Sequence, residues 1–246
     1  MLVNLYIDKH TEAFYGPAVR NYTDLLLTRF MPIFDDVEGE QQRAMDAALE
    51  KNKWYEDEAS AIEDAYDEGI SSAIMLMEMR TVFIATGVAG LFHLFEKQLY
   101  RFLNQEIGRY GFTHRVKKQD VPFVVTKWED ADTVIKSFPH TLRLGGDGVT
   151  LKDAFTSSDL TELREVANAV KHGPGRAMDA LYSMSAVVVD PTRVNGDFTT
   201  GQFSSFGLAI AIQQADVIRY RDAIMAFWGV RGNFGKMPLP EGMLGD

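Results

Sequence analysis

Between Arg80 and Glu96 the chain carries no Asp, Glu, Lys or Arg, and this 15-residue stretch lies inside an apolar series that constrains the fold more than any other feature. Ile74, Met75, Met77, Val82, Ile84, Val88, Leu91, Leu94, Phe95, Leu99, Phe102 and Leu103 make the series, and the Met75, Met77, Met79 cluster reads as core filler. The series predicts a central helix ending near Gly108, with Ser71 and Ser72 as candidate caps at its start. Gly87 and Gly90 weaken its propensity but permit close approach of a second helix. A membrane-spanning helix needs about 20 apolar residues, so the uncharged stretch reads as a buried core helix and no membrane partner is expected.

Helical patterning extends to most of the chain. Residues Leu2 to Ile7 alternate enough for a short strand or extended arm. Pro17 suits the first turn of a helix running to about Phe34, with Leu25, Leu26, Leu27, Phe30 and Ile33 on its buried side. The acidic stretch 35–68 predicts a long amphipathic helix or a broken pair. Gly108, Gly111, Pro122 and Pro139 predict an irregular connection over 108–150, with one short helix near Glu129 to Ser137. The Val187, Val188, Val189 run and Asn195, Gly196, Asp197 suggest a small hairpin or lobed loop. A last helix is expected from Phe206 to Trp228, with Leu208, Ala211, Ile212, Ala215, Ile218 and Met225 supplying much of its buried face, and then a loose tail through Pro238, Pro240, Gly242 and Gly245. The fold class expected is therefore mainly all-α, a helical bundle with a long central helix and a small hairpin or irregular excursion. No repeat or linker divides the 246 residues, so a single domain with helices 73–107, 158–172 and 206–228 at its core is the expectation.

The chain lacks cysteine, which removes disulfides, thiol nucleophiles and thiolate-ligated zinc and fits a reducing compartment. No basic segment followed by an apolar run opens it, so the expected location is cytoplasmic. Its formal charge is −10, which disfavours broad binding to duplex nucleic acid. That charge is concentrated: from Asp35 to Glu68 there are 13 acidic residues against Arg43, Lys51 and Lys53, so this segment alone carries −10. Small basic runs at His114, Arg115, Lys117, Lys118 and at Arg164, Lys171, His172, Arg176 leave room for a local anion site.

The second of these runs carries the clearest chemical signal. Ser157, Ser158 and Asp159 start a helix, Asp159 and Glu162 have capping-box spacing, and Gly173, Pro174 and Gly175 stop it. At about 100° per residue, Arg164, Asn168, Lys171 and His172 fall on one side, and Leu160, Leu163, Val166, Ala167 and Val170 on the other. The front thus offers a guanidinium, an amide, an ammonium and an imidazole, a set suited to phosphate or another anion. His172 falls in the last turn, where the carbonyl end of the helix favours a cation.

Asn168 to Gly173, following an apolar-backed helix, resembles the HEPN superfamily of helical domains. The family signature is an Arg, a polar residue such as Asn, and then a His at the end of the same helix. Here Asn168 and His172 match, while Ala167 stands where the Arg is expected. The resemblance covers chiefly 73–107 and 158–173. It implies a homodimer in which two helix ends assemble one site for metal-independent RNA cleavage through attack by the ribose 2′-hydroxyl, in a toxin–antitoxin or phage-defence setting. Alanine cannot stabilise a phosphate charge, so Arg164, one turn before Asn168, or Lys171 would substitute. His172 would act as general acid or base, and Asn168 would orient a phosphate oxygen or the imidazole.

Other constellations are poorer. His93 and Glu96 have a spacing that can place two metal ligands on one face, but no Glu-x-x-His pair on a second helix completes a carboxylate-bridged site. No metal or cofactor is expected. Gly145, Gly146, Asp147 and Gly148 lack the Lys-Ser or Lys-Thr of a phosphate loop and read as a turn. Two functions remain in view: an RNA-associated HEPN-like protein acting as a ribonuclease, and a catalytically inactive helical module that binds a protein partner through acidic 35–68.

Overall fold

The computed structural model describes residues 2–7, 9–54, 57–109, 113–116, 119–136, 142–143, 150–173, 175–190, 210–230 and 232–238. Helices dominate: α1 (Lys9–Leu25), α2 (Val37–Asn52), α3 (Glu58–Gly108), α4 (Trp128–Lys136), α5 (Leu151–Phe155), α6 (Ser158–His172), α7 (Arg176–Ser183) and α8 (Gln214–Gly229). A π-helical turn (Leu26–Phe30) and a 3₁₀ turn (Met31–Phe34) continue from α1. The fold is mainly helical with a long central helix, as the sequence predicts, plus two small antiparallel sheets. One has the order β1 (Leu2–Ile7), β5 (Gly232–Pro238), β4 (Leu142–Arg143), and the other is the hairpin β2 (Thr113–Val116) and β3 (Gln119–Pro122). The chain divides into two compact units, Met1–Tyr22 with Gly90–Arg164 and Ile218–Asp246, and Thr23–Ala89 with Glu165–Val217.

The first unit is organised by rings. Trp228 stacks on Tyr15 with centroids 4.5 Å apart and meets the edges of Phe95 and Phe102. Its indole N–H donates to Gln98 Oε1 at 3.2 Å, and Gln98 Nε2 donates to the Tyr15 carbonyl at 3.1 Å. One buried amide thereby joins α8, α3 and α1, satisfying polar groups that would each be costly if buried alone. Phe155 of α5 stacks on Trp128 of α4 at 4.8 Å. Asn104 fixes the chain ahead of α4 by exchanging two hydrogen bonds with the Val125 backbone. Gly90 is needed for close packing, because a Cβ there would lie 2.2 Å from the Tyr22 hydroxyl.

The second unit contains a helical hairpin. From Leu26 onward the chain folds back along α3: Leu26 lies over Gly87, Phe30 and Phe34 contact Phe83 at 5.7 and 5.4 Å, and Asp35 pairs with Arg80 at 4.0 Å. Farther along, Ser72 donates to Glu40 at 3.0 Å and Met45 covers Gly69. Asp36 caps α2 by accepting from the Gly39 N–H. Among its residues α2 has none that is buried. Val166, Ala167, Ala169, Met178, Leu181, Val188 and Val189 are buried elsewhere in this unit.

Several expectations change. The central helix starts at Glu58, not at a cap on Ser71 or Ser72, because packing on α2 extends it and Ser72 spends its hydroxyl on Glu40. The acidic segment is the broken pair, α2 and the start of α3. Pro17 lies inside α1 on its exposed side, since the buried Tyr15 and Val19 carry the helix through it. Leu25, Phe30 and Ile33 are exposed, and Thr23, Leu26, Met31 and Phe34 face inward instead; after Leu25 the π and 3₁₀ turns rotate the face. The short helix in 108–150 is present as α4, but strands β2, β3 and β4 occur where irregular chain was expected.

The valine run is a 3₁₀ turn, Val187–Val189, and not a strand. Asn195 to Asp197, the 145–148 turn, Phe206, Leu208, Pro240, Gly242 and Gly245 lie outside the described residues, and Pro238 ends β5. The last helix begins at Gln214, where the Gln213 N–H donates to Asp216, and it buries Val217, Tyr220, Ile224, Phe227 and Trp228 while Ala215 and Ile218 are exposed. Among the described residues α3 is the one helix long and apolar enough to cross a membrane, and 28% of its most apolar window is buried in the protein, less than a core helix would show. Core helices of soluble proteins, which are mostly buried, pass the same test of length and composition.

Truncating Trp228→Ala should cost about 3–5 kcal/mol in urea unfolding, and Gln98→Ala about 1–3 kcal/mol by removing the acceptor of the buried Trp228 N–H. Hydrogen bonds from Arg43 and Ser72 hold the Glu40 carboxyl below its ordinary pKa. A carboxylate lowered in this way stabilises the folded state above its unfolded pKa, and the contribution is lost as pH falls through the folded value. Ser72→Ala should therefore move the Glu40 titration upward in a carbon-detected NMR experiment, and an unmoved curve would assign the whole effect to Arg43.

Candidate functional site

Helix α6 forms as its sequence dictates. Ser157 Oγ accepts from the Leu160 N–H at 3.4 Å, so the cap is Ser157 and the expected Asp159–Glu162 capping box is replaced. Both acids instead grip Arg219 of α8: Nη1 meets Asp159 at 2.5 Å and Nη2 meets Glu162 at 2.6 Å. Glu162, only 5% exposed, also accepts from the Tyr220 hydroxyl at 2.7 Å. Burial works against the Arg219 charge, but hydrogen bonds to Glu162 and Asp159 outweigh it and hold the guanidinium pKa above its ordinary range. Leu160, Leu163, Val166 and Ala167 are buried as expected, and Val170 is half-buried.

The polar front divides. Arg164 is half-buried with its guanidinium 5.6 Å from the centroid of the Trp128 ring, a cation–π contact within the first unit. Asn168 is half-buried, and Lys171 and His172 are exposed, all three in the second unit. His172 is the last residue of the helix. Gly173 then turns the chain with φ +78° while its N–H closes on the Ala169 carbonyl at 2.8 Å, a conformation that favours glycine. Arg176, exposed, opens α7 just beyond. The corner thus presents a solvent-accessible imidazole beside an ammonium at a helix end, with an amide one turn back. Ala167, where the family pattern has Arg, is 1% exposed and belongs to the packed back of the helix.

The second histidine is satisfied locally. His93 Nδ1 lies 3.2 Å from Glu96, whose other oxygen accepts from the Tyr100 hydroxyl at 2.8 Å. Burial, reinforced by Glu96, raises the Tyr100 pKa above its ordinary value. Among the described residues no cluster of three or more His, Asp or Glu side chains is arranged to hold a metal ion. Side chains of the His114 to Lys118 run lie outside the described residues. Sequence reasoning missed Arg219 and Trp128, and its only signal for the former was an Asp-x-x-Glu pair that also fits a cap. No protein-family model, no curated protein and no solved structure matches the chain.

Arg219→Met leaves two carboxylates, one buried, without their cation and should cost about 3–5 kcal/mol in denaturant unfolding. Adding Glu162→Gln should recover part of the loss. Gly173→Ala should cost about 1 kcal/mol through the left-handed backbone. Equal stability of the Arg219 variant and wild type would show that the pair does not anchor α6.

Proposed function

We propose that this chain is a HEPN-like, RNA-associated protein of a bacterial toxin or phage-defence type, acting as a metal-independent endoribonuclease at the α6–α7 corner. The observation that supports the reading is the exposed His172 at the end of α6, with Lys171 exposed beside it. In this mechanism His172 withdraws the proton of a ribose 2′-hydroxyl, or delivers one to the leaving 5′ oxygen, as general base or acid. Lys171 neutralises the charge that develops on the phosphate, and Asn168 orients a phosphate oxygen or the imidazole. Lys171 is the better substitute for the absent family Arg, since Arg164 rests on Trp128. A homodimer would pair two such corners.

Cleavage of a mixed RNA pool in EDTA is the test, with circular dichroism as the check on folding. His172→Ala should abolish cleavage, Lys171→Ala should lower it about 100–1,000-fold, and Arg164→Ala should act on thermal stability more than on rate. Equal cleavage by wild type and His172→Ala, or none by either, would end the proposal.

A further inference from the structure

The hairpin of the second unit carries a groove of about 490 Å³ between α2 and the first part of α3. Ala44, Ala47 and Ala48 form one side, small enough for another backbone to approach closely, and Asp64, Asp67 and Glu68 form the other. Lys51, Asn52 and Ser71 complete the lining. Of the segment's three basic residues, Arg43 is already paired with Asp36 and Glu40, and Lys53 with Glu50. No ion pair engages Asp64, Asp67 or Glu68 among the described residues, so the groove wall keeps its negative charge.

The α3 side of this groove does not stop at Ser71. Asp64, Glu68, Ser71, Met75, Met79 and Val82 follow one another at spacings of three or four, one stripe of the helix about 27 Å long. Met75 is 60% exposed and Met79 52%. An acidic half therefore continues into an apolar half of flexible, polarisable thioethers, the side chains best able to repack around a partner. Across the groove α2 contributes no buried residue, so the hairpin has an unpartnered face.

We infer that this face docks a cationic amphipathic helix of about five turns, with Lys or Arg against Asp64, Asp67 and Glu68 and its apolar stripe on Met75 and Met79. Charge selects this occupant. A second copy would bring its own segment of charge −10 to the same place, and anionic lipid headgroups would be repelled. The inference is independent of the chemistry at His172.

The full chain is titrated calorimetrically with a peptide of about 20 residues, Leu on one helical face and Lys on the other. The same titration is run with a Leu/Glu peptide and with a Leu/Lys peptide whose order is scrambled. The Leu/Lys helix should bind, weaken with salt, and weaken about tenfold both for Asp64→Asn/Asp67→Asn/Glu68→Gln and for Met75→Ser/Met79→Ser. All five side chains are exposed, and circular dichroism checks the fold of both variants. The Leu/Glu helix should not bind. Equal affinity in either variant, equal affinity for the scrambled peptide, capture by phosphatidylglycerol vesicles through the methionines, or a peptide-free dimer that Met75→Ser/Met79→Ser dissolves would each overturn the inference.

Discussion

Gln98 is the joint of the first unit. Its amide oxygen accepts from the Trp228 N–H, and its amide N–H donates to the Tyr15 carbonyl, inside a cluster of rings. An apolar residue of the same size would fill the space and deprive the indole N–H of this acceptor. The rings supply most of the burial, but many ring packings would do that equally well. The amide accepts only a register in which α1, α3 and α8 present these partners together, and this is how a polar group in a core specifies one arrangement.

A second polar anchor serves α6. Within the first unit Asp159 and Glu162 hold Arg219 and so tie the beginning of α6, while at the helix's other end Lys171 and His172 are exposed. The division of the polar front follows the same logic. Arg164 contributes to packing through Trp128, while the residues that extend past the packed region keep their charge in water.

Much of this was legible in the chain, and the failures have common physical causes. The apolar series from Ile74 to Leu103 announces α3, and Gly87 and Gly90 mark where Leu26 and Tyr22 approach. The apolar back of α6 and its glycine stop were equally readable, as was the exposed end that follows from them. What local spacing hides is partnership at a distance. Ser72 resembles a cap but bonds to a residue 32 positions away, and Asp159 and Glu162 resemble a capping box but serve an arginine 57 to 60 positions on. The π and 3₁₀ turns after Leu25 likewise change the rotation per residue, so a face counted at 100° points outward by Phe30 and Ile33.

Helix α2 has a dynamic consequence. With no residue fully withdrawn from water, little hydrophobic energy opposes its melting, and its amide hydrogens should trade with deuterium through small openings that leave α3 intact. The acidic hairpin then has one rigid rail and one soft one. A ligand laid between them would be registered first as slowed deuterium uptake along α2, before any displacement of the chain.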